Sequence, residues 1–563
     1  MLRKHIFISA ILIALGLFFV QVFNGPLTPS TYIGSDQSGA RRALEQLNFA
    51  RTYPDTHLPE ATFFKSFRTM QRMRRIYKRS QDRVAPWRAL GPANIGGRTL
   101  AIAINPQNPN TIYAGSASGG LWRSYTGGEG ANAWEHISTG FPVLAVSAIA
   151  ISPADSNVIY IGTGEVYGHF PTQPGVSDRR TRGSYGIGIL KSMDGGLTWY
   201  KSLDWTYNQR TGVQKIRINP KNAHTLWAAT TEGTFLSCDA GSSWRKVLDV
   251  VMATDIAIDP ADTNVVFVAC GGMGSPGHGI YRTLDGGNTW EKLSMGPSGP
   301  STFSGKAMLS ISQSSPNIIY ASIGNSDGEL VSKNFKTWLM KSVDGGETWE
   351  AVSTVDYSRH QGWYSHYAIV HPQNPDIVYC GGVNLWKSTD GGHTLRRIDT
   401  RAANGRIHVD HHDMAFVQTS PDTLYFANDG GVYKSINGGK RFINCNFGYQ
   451  TTQFYNGFTS AATDSNFALG GMQDNSTALY SGEPDWASVI GGDGSWTAIN
   501  QMDHREFYGS LQWLRMFRWD DLNQEWQDIT PPVKGVVNFI APFALSPVDN
   551  KTLYAASSFV YKS

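Results

Sequence analysis

One eight-residue phrase, Ser342-Val343-Asp344-Gly345-Gly346-Glu347-Thr348-Trp349, constrains this chain more than any other feature, because the chain keeps restating it. Close copies begin at Ser192, Ser237, Thr283 and Ser388, and looser ones at Ser124 and Ser435. Asp-x-Gly supplies a carboxylate that accepts hydrogen bonds from the turn's own amides and a residue free to take positive φ. Thr and Trp then restart an extended strand, so each copy predicts a tight hairpin. Upstream of each copy an apolar strand ends in a Pro or Asn turn and is followed by another strand, as in AIAINPQNPNTIYAGSASGGLWRS from Ala101. Four short antiparallel strands recurring roughly every 40 to 50 residues are the pattern of a β-propeller blade.

The octet resembles the Asp-box, or bacterial neuraminidase repeat, of sialidases, sortilin-like receptors, photosystem assembly propellers and two-propeller xyloglucan hydrolases. The resemblance runs from about Trp87 onward. It implies an all-β fold, a β-propeller of four-stranded Asp-box blades. In those families the boxes lie outside the blades and away from the active site, which implies that Asp194, Asp239, Asp285, Asp344 and Asp390 are structural turn formers.

Octets open at 124, 192, 237, 283, 342, 388 and 435, and Ser481 and Trp519 keep the spacing after the motif fades. The favoured architecture is a seven-bladed ring (85–445) followed by the start of a second propeller (446–563), similar to the xyloglucan hydrolases. The alternative is one ten-bladed, sortilin-like ring. Tyr561-Lys562-Ser563 repeats Tyr433-Lys434-Ser435, which opens an octet, so the last blade is expected to stop part-way. Trp87-Arg88-Ala89-Leu90 matches the blade end Trp290-Glu291-Lys292-Leu293 and is expected to complete a blade formed later in the chain.

Ahead of the propeller, Arg3, Lys4 and His5 precede an apolar run from Ile6 to Val20, an export signal or uncleaved anchor within 1–24. The expected location is outside the cytoplasm (secreted, periplasmic or at the cell surface), with membrane attachment through residues 6–23 left open. Residues 25–84 form a basic segment, helical over Ser38 to Arg83, with Ala43, Leu44 and Leu47 and then Phe63, Phe67, Met70 and Met73 at helical spacing. A formal charge of +3 is too small to argue for nucleic acid, and 12% aromatic with 17% charged residues excludes a disordered chain. Cys238, Cys270, Cys380 and Cys445 lack metal-type spacing, and the sequence leaves bridged and free thiols equally open.

Chemistry is expected where the repeat is broken. His408-Val409-Asp410-His411-His412-Asp413 opens an inner strand. Period-two alternation would put His408, Asp410 and His412 on one face as ligands for a divalent metal. Glycine-rich acidic turns at Asp429, Asp474 and Asp493 are the acid and base candidates for glycoside chemistry. Trp363, Tyr364 and His366 precede blade six and could stack on a ligand. The insertion from His169 to Tyr185, with Arg179, Arg180 and Arg182, is long enough to overhang the channel.

The sialidase family carries an Arg-Ile-Pro motif that is absent here. Xyloglucan hydrolases place one catalytic aspartate in a Thr-Asp-x-Gly-Gly segment of blade one, where this chain has Ser116-Ala117-Ser118-Gly119-Gly120. The reading that asks least of the residues is a sortilin-like exported scaffold binding a protein, peptide or polysaccharide. The alternatives are a glycoside hydrolase-like enzyme using the cleft aspartates, or a metal-dependent site at His408.

Overall fold

Seven four-stranded antiparallel sheets close into a ring. The computed structural model describes residues 49–50, 53–54, 62–77 and 87–563, apart from 174–175, 182–183, 207–210, 273–274, 327–334 and 401–404. The blades span 99–137, 146–204, 213–248, 253–292, 307–353, 367–397 and 411–444. Each inner strand packs beside the next, and the last, His411–Phe416, lies against the first, Thr99–Ile104. The backbone N–H of Ile102 donates across this seam to Asp413 Oδ2 at 3.2 Å. Ile112 and Trp134 of blade one share a buried cluster there with Tyr425 and Val432 of blade seven and with Tyr449. The ten-bladed alternative is therefore corrected: the apolar faces of blades one and seven bury each other, and the ring closes at seven. Sheets at 454–490, 494–528 and 543–562 follow, their inner strands again side by side, and begin a second propeller.

The strands follow from their patterning. Second strands such as Ile159–Thr163 and Val266–Cys270 are buried throughout, as continuous apolar runs covered on both faces must be. In the octet, Ser342 Oγ accepts from Gly346 N (2.9 Å) and donates to Asp344 Oδ1 (2.8 Å), which also accepts from Thr348 N (2.9 Å). Gly345 and Gly346 hold φ of 72° and 87°, which a residue with a Cβ resists. Trp349 is buried in the core cluster it shares with Phe267 of blade four. The same bonds recur at Asp194, Asp239, Asp285 and Asp390. Hydrogen bonds from Thr198, Ser243 and Thr394 draw the carboxyls of Asp194, Asp239 and Asp390 down to about 2. Blade seven uses Asn437 instead, whose Oδ1 accepts from Arg441 N at 2.9 Å, so the turn requires an acceptor there and not a charge.

Strand alternation fixes which end of the ring each turn occupies. Octets join third to fourth strands, whereas the turns after second strands and the residues entering inner strands lie at the opposite end. Arg98, Glu165, Lys306, Tyr364, His412, Asp429 and Asp474 therefore share the end away from the octets.

The segment before blade one differs from expectation. Residues 87–95 form no strand. Ala93 N donates to Pro484 O (2.7 Å), Trp486 Nε1 donates to Leu90 O (2.9 Å), and Leu90 and Ile95 pack on the sheet 454–490. Blade seven already has its own outer strand, Ile443–Asn444, and Trp87–Leu90 is added to none of the four-stranded sheets. A helix, Thr62–Tyr77, inserts Phe64 into the cluster around Tyr113, Leu121 and Trp199. The other helical expectations (Ala43, Leu44 and Leu47) and the apolar run Ile6–Val20 lie outside the described residues. Among the described residues no helix is long and apolar enough to cross a membrane. All four cysteines are free thiols, Cys238 exposed and the others buried.

Candidate functional site

Inner strands begin around the mouth of the channel, and side chains entering there either fill it or line a cleft beside it. The mouth itself is filled. Arg98, just before the inner strand of blade one, pairs with Glu165, just after the second strand of blade two, through bonds of 2.8 and 3.2 Å. Glu165 Oε1 also accepts from the phenols of Tyr167 (2.8 Å) and Tyr364 (3.1 Å), the latter reaching over from the start of blade six. Arg98 and Glu165 are only 2% and 1% exposed, so the pair stands only because each satisfies the other. Burial works against the guanidinium charge, but Glu165, two phenols and Asp429 more than offset it and hold its pKa well above the usual value. Trp363 stacks on Tyr364 at 5.0 Å between ring centroids, and the Tyr364 ring meets His412 edge-on at 4.8 Å.

A second tier crosses the ring beneath. Lys215 Nζ of blade three lies 3.0 Å from Asp413 Oδ1 of blade seven, and Asp255 Oδ2 of blade four accepts from Leu309 N of blade five at 3.0 Å. Burial, reinforced by the Lys215 charge, holds Lys306 down to about 8 against the pull of Asp255 and Asp413. Toward the octet end the channel opens into a cavity of about 820 Å³, lined by Ile102, Ile149, Ile256, Pro220 and Pro372 among others.

This arrangement corrects the expectation for Trp363, Tyr364 and His366. All three are buried, because closure of the ring turns the segment inward. His366 Nδ1 lies 2.7 Å from Ser322 Oγ, and its Nε2 lies 3.1 and 3.0 Å from the carbonyls of Lys306 and Gly362. Arg179 and Arg180 lie on the hairpin Val166–Gln173 and Val176–Thr181, opposite His169 and Gly168; Arg182 lies outside the described residues.

The histidine run is also rearranged. The inner strand starts at His411, and Asp410 precedes it with φ of 62°, so His408, Asp410 and His412 share no strand face. His412 Nε2 lies 2.6 Å from Asp429 Oδ1, while His408 Nε2 turns to the Asp474 carbonyl at 2.8 Å. Among the described residues no three His, Cys, Asp or Glu side chains gather in metal-binding geometry.

His411, fully buried, has no hydrogen-bond partner at either ring nitrogen among the described residues and sits against the rings of Tyr367 and Phe426. Burial, with the neighbouring His408 and His412, lowers its pKa to about 3, and burial, with Lys306, does the same to His366. Above the ordinary value of 6.5 neither state binds a proton. Below it the unfolded chain takes up protons that the folded chain refuses until about pH 3, so stability falls with pH across that window. His411→Leu is expected to keep the melting temperature at pH 7.5 and to flatten its decline between pH 6.5 and 4. An equal decline in both proteins would show that His411 does not contribute to acid sensitivity.

A cleft of about 430 Å³ lies between blade seven and the sheet 454–490. His408, Gly430, Asn446, Asp474, Asn475 and Trp486 are among its walls. Gly430 is required by the His408 ring, because a Cβ there would sit 2.4 Å from the imidazole. The three acidic turns are joined behind it. Asn475 Nδ2 donates to Asp429 O (2.9 Å), and Ser476 N donates to Gly492 O (2.9 Å) beside Asp493. Asp474 and Ser476 hold φ of 59° and 74°, a strained backbone of the kind found at binding sites. Asp429 is buried on His412, whereas Asp474 and Asp493 are half-buried, Asp493 receiving the Tyr455 phenol at 2.8 Å. Amides, hydroxyls and a carboxylate beside an indole suit a polyhydroxylated ligand.

No family model matches the chain. Over 354 residues it is 24% identical to the xyloglucanase Xgh74A of Acetivibrio thermocellus, covering 54% of this chain and 38% of that protein. It is 22% identical over 356 residues to a xyloglucanase of Paenibacillus sp, covering 55% of this chain and 32% of the other. The GH74 xyloglucanase of Xanthomonas campestris superposes with a TM-score of 0.52 at 16% identity, over 85% of this chain and 80% of that one. This chain is a β-propeller protein similar to xyloglucanases. The matched stretch spans well under half the length of those curated relatives, and the structural likeness shows the fold alone.

Arg98, Glu165, Lys215 and Lys306 were not singled out from the sequence. The one local signal for Glu165 is a carboxylate two residues after the apolar strand Ile159–Thr163.

Proposed function

We propose that this chain is a carbohydrate-active, glycoside hydrolase-like propeller that acts outside the cytoplasm on a polysaccharide held in the cleft between blade seven and the sheet 454–490. The observation that carries the reading is that cleft: polar, open, and bearing Asp474 at the end of the ring where the repeat is broken. The sequence likeness to xyloglucanases supports a polysaccharide as the ligand over a protein or peptide, so the sortilin-like scaffold is the less favoured reading. Asp474 and Asp493 are the acid and base candidates. Asp429 is held by His412 away from solvent, and Ala117, wholly buried in the turn after the second strand of blade one, supplies no carboxylate.

The test is incubation of the purified chain with soluble polysaccharides, xyloglucan among them, followed by assays for new reducing ends and for retardation in gels containing each glycan. Release of reducing ends supports the hydrolase reading. Retardation without release leaves a polysaccharide-binding module, and neither effect on any glycan overturns the proposal.

A further inference from the structure

The helix Thr62–Tyr77 has one face more than its packing needs. It carries Lys65, Arg68, Arg72, Arg74 and Arg75 and no acidic residue. Phe64 is buried against the propeller, with Phe67 and Gln71 half-buried beside it, and helical geometry puts these three within about 60° of arc. Met70, Met73 and Ile76 lie on the far side, exposed by 37, 48 and 60%. On a helical wheel the exposed basic residues flank this stripe, Arg68, Arg72 and Arg75 along one side and Arg74 on the other. A helix that merely rests on the rim would need only its Phe64 side apolar. Solvation accounts for the arginines but leaves the second stripe without a reason.

We propose that this outer face lies on an anionic lipid surface. Met70, Met73 and Ile76 enter the boundary between headgroups and acyl chains, while the guanidinium groups, on stems long enough to reach outward, meet lipid phosphates. Charge complementarity selects the partner, because a face with several cations and no anion gains from a negative surface potential and gains little from a neutral bilayer. This inference is independent of the carbohydrate reading, since no residue of the cleft takes part.

The test uses the full chain with vesicles of phosphatidylcholine, alone or mixed with phosphatidylglycerol. The apolar run Ile6–Val20 would confuse bulk sedimentation, so the readout is local: oxidation of Met70 and Met73 by hydrogen peroxide, followed by mass spectrometry. Protection of both methionines is expected with phosphatidylglycerol vesicles at low salt. Protection should be absent with phosphatidylcholine alone and should disappear at high salt. The triple variant Arg68→Glu, Arg72→Glu and Arg75→Glu, all at exposed positions, should melt like the parent and weaken the protective interaction by at least about a hundredfold. Unchanged oxidation with anionic vesicles, or equal protection by neutral ones, overturns the proposal.

Discussion

Arg98→Met is expected to lower the stability of the ring by about 3–5 kcal/mol, the usual consequence of leaving one member of a buried ion pair without its partner. Glu165 would stay enclosed with only the Tyr167 and Tyr364 phenols to support its charge. Glu165 and Tyr167 enter from blade two and Tyr364 from the segment leading into blade six, so the loss would be felt across the channel and not within one blade. For a ring of this size a fall of roughly 4–7 °C in the melting transition is the corresponding observable. The double variant Arg98→Met with Glu165→Gln removes both charges and should recover part of the loss, because a neutral amide can still accept from the phenols. A melting temperature that does not change in Arg98→Met would mean that the plug is incidental to ring closure. If the double variant is no better than the single, the damage comes from packing and not from a stranded carboxylate.

Asp474→Asn carries the largest expected effect on turnover. A positioned general acid or base contributes on the order of 10² to 10⁴ in rate, so activity on any polysaccharide that is cleaved should fall by that factor while gel retardation persists. The Asp474 backbone lies at positive φ, which asparagine tolerates, and its carbonyl contact to His408 is independent of the side chain, so the fold should survive. Asp493→Asn should behave similarly if the two work as a pair. Asp429→Asn should instead act on stability, since that carboxylate is buried on His412. Unimpaired turnover in Asp474→Asn would remove it from the mechanism and return attention to Asp493 alone.

How far the site was legible in advance depended on how local each contact is. The acidic turns at Asp429, Asp474 and Asp493 are visible as breaks in a repeat, and the Asn475 side-chain amide and the Ser476 backbone N–H link them. A Trp-Tyr pair before a strand reads the same in sequence whether it faces water or the channel, which is why the burial of Trp363 and Tyr364 is not legible locally. Tyr364 finds Glu165 at a separation of 199 positions, which no local pattern encodes. The histidine run misled for a different reason. Alternation predicts shared faces only within a strand, and the left-handed backbone at Asp410 interrupts the strand just where the alternation was counted from.

The blade is encoded locally. The octet's hydrogen bonds close within a few residues, from Ser342 to Thr348, and the burial of strands such as Val266–Cys270 is written in their continuous apolar runs. Where the ring closes, which polar side chains fill its mouth and which acidic turns stay open to solvent are set by long-range packing. Those outcomes depend on which blade meets which. The match of Ile102 and Trp134 with Tyr425 across the seam, and of Arg98 with Glu165 over the channel, is a property of surfaces that exist only once the blades have been formed and curved into a circle.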